Sequence, residues 1–135
     1  MKKEEIQQSI VEFQMVDQQI KVLHQQLNIL EQQTTEISSV VENLESLKAV
    51  KPKAKAFAQI GPGMSMETTL EKPNEVLMNV GANTLVKKSL PEAQKMLNQQ
   101  IEEMKNITQS MQAEIQKLMA HAQKLRQDIQ TASQQ

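Results

Sequence analysis

Every glycine and proline of this chain lies in one stretch. Pro52, Gly61, Pro62, Gly63, Pro73, Gly81 and Pro91 are all seven of them, and residues 1–51 and 92–135 contain none. Glycine supplies backbone conformations that other residues avoid, and proline interrupts helical hydrogen bonding, so both punctuate regular structure. Their placement divides the 135 residues into a long unbroken segment, a turn-rich middle and a second long unbroken segment. The flanks are rich in Gln, Glu, Lys, Leu and Met, all good helix formers. Phe13 and Phe57 are the only aromatic residues and there is no cysteine, which argues against an ordinary globular core and excludes a disulfide scaffold.

Both flanks carry a seven-residue repeat. In the first, position a falls on Ile6, Phe13, Ile20, Leu27, Thr34 and Val41, and position d on Ser9, Val16, Leu23, Leu30, Ile37 and Leu44. Ten of these twelve are apolar. In the second, d falls on Leu90, Leu97, Met104, Met111, Leu118, Leu125 and Ala132, and a on Gln94, Ile101, Thr108, Ile115, Ala122 and Ile129, with eleven of thirteen apolar. A strict heptad sustained this long keeps one narrow seam against a partner helix. Two matched seams on one chain fold back most simply as an antiparallel helical hairpin. The first helix is expected to end near Lys48, ahead of Pro52. The second opens at Ser89, with Pro91 in its first turn and Glu92 three residues on, a capping box. Thr34 and Thr108 interrupt the seams, either merely tolerated or marking register.

The middle contains two apolar runs that each pass through a glycine turn into a second run: AFAQI–GPG–MSMETTL and VLMNV–GAN–TLVKK. This is the pattern of two β-hairpins, joined by a turn at Glu71-Lys72-Pro73-Asn74. Gly61, Gly63 and Gly81 are expected at positive φ, and Asn83 tolerates it. The fold class is therefore α+β: an N-terminal coiled-coil helix (1–50), two hairpins (51–88) and a C-terminal coiled-coil helix (89–135). Small hairpins are marginal alone in water and their edges invite pairing, so the hairpins are expected to assemble with other chains into a β-barrel. Phe57, Ile60, Gly61, Gly63, Met64, Met66, Val76, Met78, Val80, Gly81 and Leu85 are the expected assembly residues.

Chemistry is sparse. The net charge is −1, distributed as −4 over residues 1–50, +3 over 51–90 and 0 over 91–135. The short basic run Lys51, Lys53 and Lys55 reads as a solvated connector, since nucleic-acid binding wants a larger patch. No apolar run approaches a membrane span, and the N-terminus lacks a signal-peptide core, so a cytoplasmic protein that binds neither nucleic acid nor membrane is expected. His24 and His121 flank the seams. Reflection about residue ~69 sets them about seven residues apart, ~10 Å by helix rise and too far for shared metal ligation, so both read as solvated. Glu4-Glu5 and Glu102-Glu103 are helix-surface charges. No catalytic group, cofactor site or metal site emerges, and no enzyme is expected.

Apolar residues gather near the free ends of the helices, some off the seam and others on it and available if the last heptads splay. Ile6, Ile10, Val11, Phe13 and Met15 on the first helix, with Met119, Leu125 and Ile129 on the second, are the candidate binding residues. Exposed apolar clusters mark interaction surfaces, and methionine suits promiscuous contact.

The order helix–hairpin–hairpin–helix carries further detail. Ile60-Gly61-Pro62-Gly63-Met64 forms the first turn, Val76-Leu77-Met78-Asn79-Val80-Gly81-Ala82 leads into the second, and Lys87-Lys88-Ser89-Leu90-Pro91-Glu92-Ala93 leaves it. This resembles the α-class subunits of archaeal prefoldin across the whole chain, most specifically over residues 57–93. Asn83 departs from the second glycine usual there. The resemblance implies a hexamer of two α-class and four β-class subunits with a double β-barrel body. It also implies ATP-independent capture of non-native polypeptides at the coiled-coil tips and their transfer to a group II chaperonin. Rival readings are a coiled-coil scaffold or tether, a homo-oligomeric or filament-forming relative without chaperonin transfer, and a nucleic-acid-binding arm centred on Lys51–Lys55.

Overall fold

The computed structural model describes residues 2–134 and contains two long helices and four short strands. In chain order they are α1 (Lys3–Leu47), β1 (Ala54–Gly61), β2 (Met64–Leu70), β3 (Glu75–Asn79), β4 (Leu85–Ser89) and α2 (Leu90–Ser133). They form two compact units, Met1–Thr34 with Glu103–Gln135 (the terminal unit) and Thr35–Glu102 (the hairpin unit).

In the terminal unit α1 and α2 run antiparallel, with Glu12 of α1 hydrogen-bonded to His121 of α2 at 2.9 Å. Val16, Leu27, Ile115 and Leu125 are its buried apolar residues. All lie on the heptad seams, and every other seam position in this unit is half-buried. A full heptad seam leaves a stripe about two positions in seven wide out of water, while the remaining positions stay solvated. Glu4 and Glu5 occupy the first turn of α1, where carboxylates complement the helix dipole. Thr34 does not cross to α2 in this seam; its hydroxyl donates to the Leu30 carbonyl of its own helix at 2.8 Å.

The hairpin unit is built around the roots of the helices. Leu44, Leu90 and Ala93 form a buried cluster against which Leu47, Val76, Met78 and Leu97 pack. Beside it lies Gln94, the one buried polar residue recorded among the described residues. Its Nε2 donates to the Val41 carbonyl at 3.4 Å and to the Glu45 carboxylate at 2.9 Å. A buried amide left without acceptors is destabilising, so these bonds hold the two roots in one register.

Both hairpins are antiparallel two-stranded sheets. β1 and β2 pair from Ala54↔Leu70 to Gly61↔Met64, with a bulge that leaves Ile60 unpaired. Pro62 and Gly63 make the two-residue turn. Proline fixes its own φ, and Gly63 takes φ +71°, the combination of a type II turn. Type II turns splay hairpin strands, and the extra twist of a bulge restores their match. Gly61 was expected at positive φ but does not adopt it; it resumes pairing after the bulge. β3 and β4 pair from Glu75↔Ser89 to Asn79↔Leu85. Their loop carries Gly81 at φ +115°, then Ala82 at +50° and Asn83 at +59°. The Thr84 amide donates to the Gly81 carbonyl at 2.9 Å, closing a turn with the paired positive φ of type I′.

The two routes between helix and sheet differ. Six residues separate α1 from β1, and within them Lys53 has φ +68° while its amide donates to the Leu70 carbonyl at 2.8 Å. β4 instead passes straight into α2. The Ser89 hydroxyl accepts the Glu92 amide at 3.3 Å, and the Leu90 amide donates to the Asn74 carbonyl at 3.1 Å. The Glu71–Asn74 turn closes with the Glu75 amide on the Lys72 carbonyl at 3.2 Å. Because the connectors are unequal, reflection about one midpoint misplaces the helix partners. It set His121 opposite residue 17, and the residue it meets is Glu12.

Candidate functional site

In the terminal unit the expected binding residues split into two sets. Ile10, Val11, Met15 and Met119 are exposed, Met15 most of all at 61%. Ile6, Phe13 and Ile129 are half-buried in the seam, and Leu125 is buried. Leu125 therefore meets a ligand only if the helix ends part.

Two adjoining grooves run between the helix ends. One, of about 470 Å³, is lined by Ile10, Phe13, Gln14, Arg126, Ile129 and Gln130. The next, of about 590 Å³, shares Phe13, Arg126 and Gln130 and adds Asp17, Ile20 and Met119. A third concavity lies on α1 alone, where Val11 and Met15 sit among Glu4, Gln7, Gln8 and Glu12. Their apolar floors suit aliphatic or aromatic side chains, and their glutamine rims can bond a peptide backbone. Val22 and Ile29 continue the exposed stripe along α1, and Ile107 is exposed on α2. Arg126 was not anticipated, although it is the one arginine of the chain and sits next to the seam residue Leu125.

His121 is not merely solvated. It lies 2.9 Å from the Glu12 carboxylate, with both side chains about half exposed. His24 is exposed.

The hairpins present a second surface. On hairpin β1–β2, Phe57, Ile60, Met64 and Met66 are 58–75% exposed, and the outer half is solvated on both faces. Lys55 and Glu67 pair across it at 3.3 Å. Hairpin β3–β4 has an inner and an outer face. Val76 and Met78 turn inward onto the Leu44–Leu90–Ala93 cluster, so they are intrachain contacts rather than part of the outward surface. Leu77 and Leu85 share the outer face at 62% and 60% exposure, and Val80 is 46% exposed beside the turn. Leu77 was missed because the run VLMNV is apolar at both parities, and only the helix roots decide which parity faces in.

The sequence and the architecture match known proteins. The Prefoldin subunit family model matches residues 16–135. The chain belongs to the prefoldin family. Prefoldins are a chaperone family rather than an enzyme family. Among its relatives is the prefoldin subunit alpha of Pyrococcus horikoshii, 27% identical over 130 residues, which span 93% of this chain and 88% of that protein. Another is the prefoldin subunit alpha of Thermofilum pendens, 22% identical over 94 residues, or 70% of this chain and 73% of that protein. The fold is that of a chain of filamentous PFD from Methanocaldococcus jannaschii solved by cryo-EM. The TM-score is 0.75 at 21% identity, covering 84% of this chain and 93% of that one.

Proposed function

We propose that this chain is an α-class prefoldin subunit that acts as an ATP-independent holdase. Its helix ends capture non-native polypeptides, and it passes them to a group II chaperonin in the cytoplasm. The hairpins assemble with β-class subunits into an α2β4 hexamer with a β-barrel body. The observation that carries this reading is the pairing of two unlike apolar surfaces on one chain, grooves at the helix ends and exposed hairpin faces. Two hairpins instead of one, and the α-subunit relatives, support the α class. Among the described residues no helix is long and apolar enough to cross a membrane.

Capture here rests on many weak contacts. Each partly buried aliphatic side chain contributes ~1–2 kcal/mol. Several subunits gripping one client multiply the effect through effective concentration, while single contacts stay weak enough for release. Native mass spectrometry of the chain alone and co-expressed with a β-class subunit tests the assembly. An α2β4 mass on co-expression supports it. A long homo-oligomer unaffected by the partner instead selects the filament-forming alternative. Deleting residues 1–10 and 126–135 tests the tips: we expect lost suppression of client aggregation with assembly intact. Unchanged suppression overturns tip capture.

A further inference from the structure

We infer that the groove between the ends of α1 and α2 favours client segments in which an acidic side chain stands beside an apolar one, and that Arg126 makes the choice. This rests on the tip-capture reading and names the class of segment the tip prefers. Arg126 is the chain's one arginine, it is exposed, and it lines both adjoining grooves. Among the described residues it is in no ion pair or hydrogen bond.

The neighbouring carboxylates are already engaged. Asp17, in the same groove, is paired with Lys21 at 3.3 Å. Glu12 is held by His121 at 2.9 Å. Asp128 lies two positions along α2, a spacing that turns it to another side of the helix. Of the two charged residues lining the grooves, Asp17 is therefore already paired, and the guanidinium is the one without a partner among the described residues. Its setting suits it: Ile10, Phe13 and Ile129 supply an apolar floor beside it. A guanidinium is weakly hydrated, lies readily over apolar and aromatic surface, and grips a carboxylate with two parallel hydrogen bonds. An apolar side chain seated on the floor thus brings an adjacent Asp, Glu or chain-terminal carboxylate under Arg126, while an adjacent lysine is repelled. The concavity around Val11 and Met15 has Glu4 at its edge and no basic residue in its lining, so the preference belongs to the Arg126 groove alone.

Fluorescently labelled peptides with one apolar core flanked by Asp, Asn or Lys test this against the full-length chain by anisotropy. We expect the Asp-flanked peptide to bind roughly threefold to fivefold more tightly than the Lys-flanked one, the size of an exposed ion pair. Added salt should shrink the difference. Arg126→Gln should erase it, bringing the Asp- and Lys-flanked peptides to one affinity, Arg126→Lys should keep the order and Arg126→Glu should invert it. A preference that survives in Arg126→Gln, or no preference in the wild type while the Asn-flanked peptide binds, overturns the inference. Failure of the Asn-flanked peptide to bind the wild type sinks the capture reading beneath it. Helicity by circular dichroism confirms that the variants fold.

Discussion

Met15 in the terminal unit and Met64 in the hairpin unit are almost equally exposed, at 61% and 60%, yet their surroundings ask for different partners. Around Met15 the backbone is helical and its hydrogen bonds are closed within α1. What is offered to solvent is side chain alone, in shallow grooves with glutamine rims. Such a surface accepts many shapes and commits to none. Around Met64 the backbone belongs to a two-stranded sheet whose outer edges carry unpaired amides and carbonyls, and both faces are solvated. An edge of that kind is completed by another strand at one register. On the proposed reading, equal exposure therefore separates a surface for variable ligands from one for a fixed partner.

The largest expected effects would break that contrast if they failed. Leu77→Asp with Leu85→Asp places two charges on the outer face of β3–β4. It should abolish assembly, since burying an unpaired charge costs several kcal/mol. Helicity of the isolated chain should persist. Val11→Asp with Met15→Asp should leave the assembled mass unchanged while weakening suppression of client aggregation. Met78→Asp should act differently from both by unfolding the hairpin unit, because Met78 packs on the Leu44–Leu90–Ala93 cluster. Native mass spectrometry with circular dichroism distinguishes the three outcomes. An intact assembly in the Leu77/Leu85 variant would remove the outer face from the interface.

Much of this organisation was legible in the sequence, for identifiable reasons. The heptad register survives because a seam is a local periodicity: all the assigned positions, from Ile6 to Leu44 and from Leu90 to Ala132, are half-buried or buried. The turns at Pro62-Gly63 and Gly81–Asn83 were legible because few residues adopt those conformations. What stayed hidden depends on contacts distant in sequence. The inward turn of Val76 and Met78 is set by the helix roots. The Glu12–His121 pair depends on a register that unequal connectors shift. The positive φ of Lys53 carries no glycine to announce it, and the glycine beside the bulge at Ile60 reads equally well as part of the turn. Arg126 was overlooked because a single arginine beside a seam has no motif; only its place in two grooves makes it notable.

A smaller effect sharpens the account of the hairpin unit. Ala82 holds φ +50° in the β3–β4 turn, where a Cβ atom is strained, whereas glycine is not. Ala82→Gly should stabilise the hairpin by about 0.5–1 kcal/mol, less the entropy that glycine adds to the unfolded chain. Gly81→Ala, at φ +115°, should destabilise it by more. Slower amide exchange across β3 and β4 in the first variant, and faster exchange in the second, is the expected signature. The same exchange rates in both would show that the turn does not limit opening of this hairpin.

The smallest effect concerns the root of the helices, where Gln94 of α2 bonds two groups of α1. The hydrogen bond from Gln94 lowers the pKa of Glu45 below its ordinary value, and the hydrogen bond and charge of Lys48 lower it further. Lys48 Nζ lies 2.9 Å from the same carboxylate. A group whose pKa is depressed on folding stabilises the folded state above its unfolded value and loses that contribution as pH falls through the folded one. The contribution of Glu45 is thus complete at neutral pH and is lost on acidification below about 4.5. Gln94→Leu removes the larger cause, so an NMR titration of the Glu45 carboxyl should move up toward its ordinary midpoint, and adding Lys48→Gln should complete the return. The leucine also fills a seam position with an apolar side chain, so the variant should remain folded at neutral pH while its acid sensitivity at this site declines. An unmoved Glu45 midpoint in Gln94→Leu would mean that the amide does not hold the carboxylate in solution, and register at the root would then rest on the packing of Leu44, Leu90 and Ala93 alone.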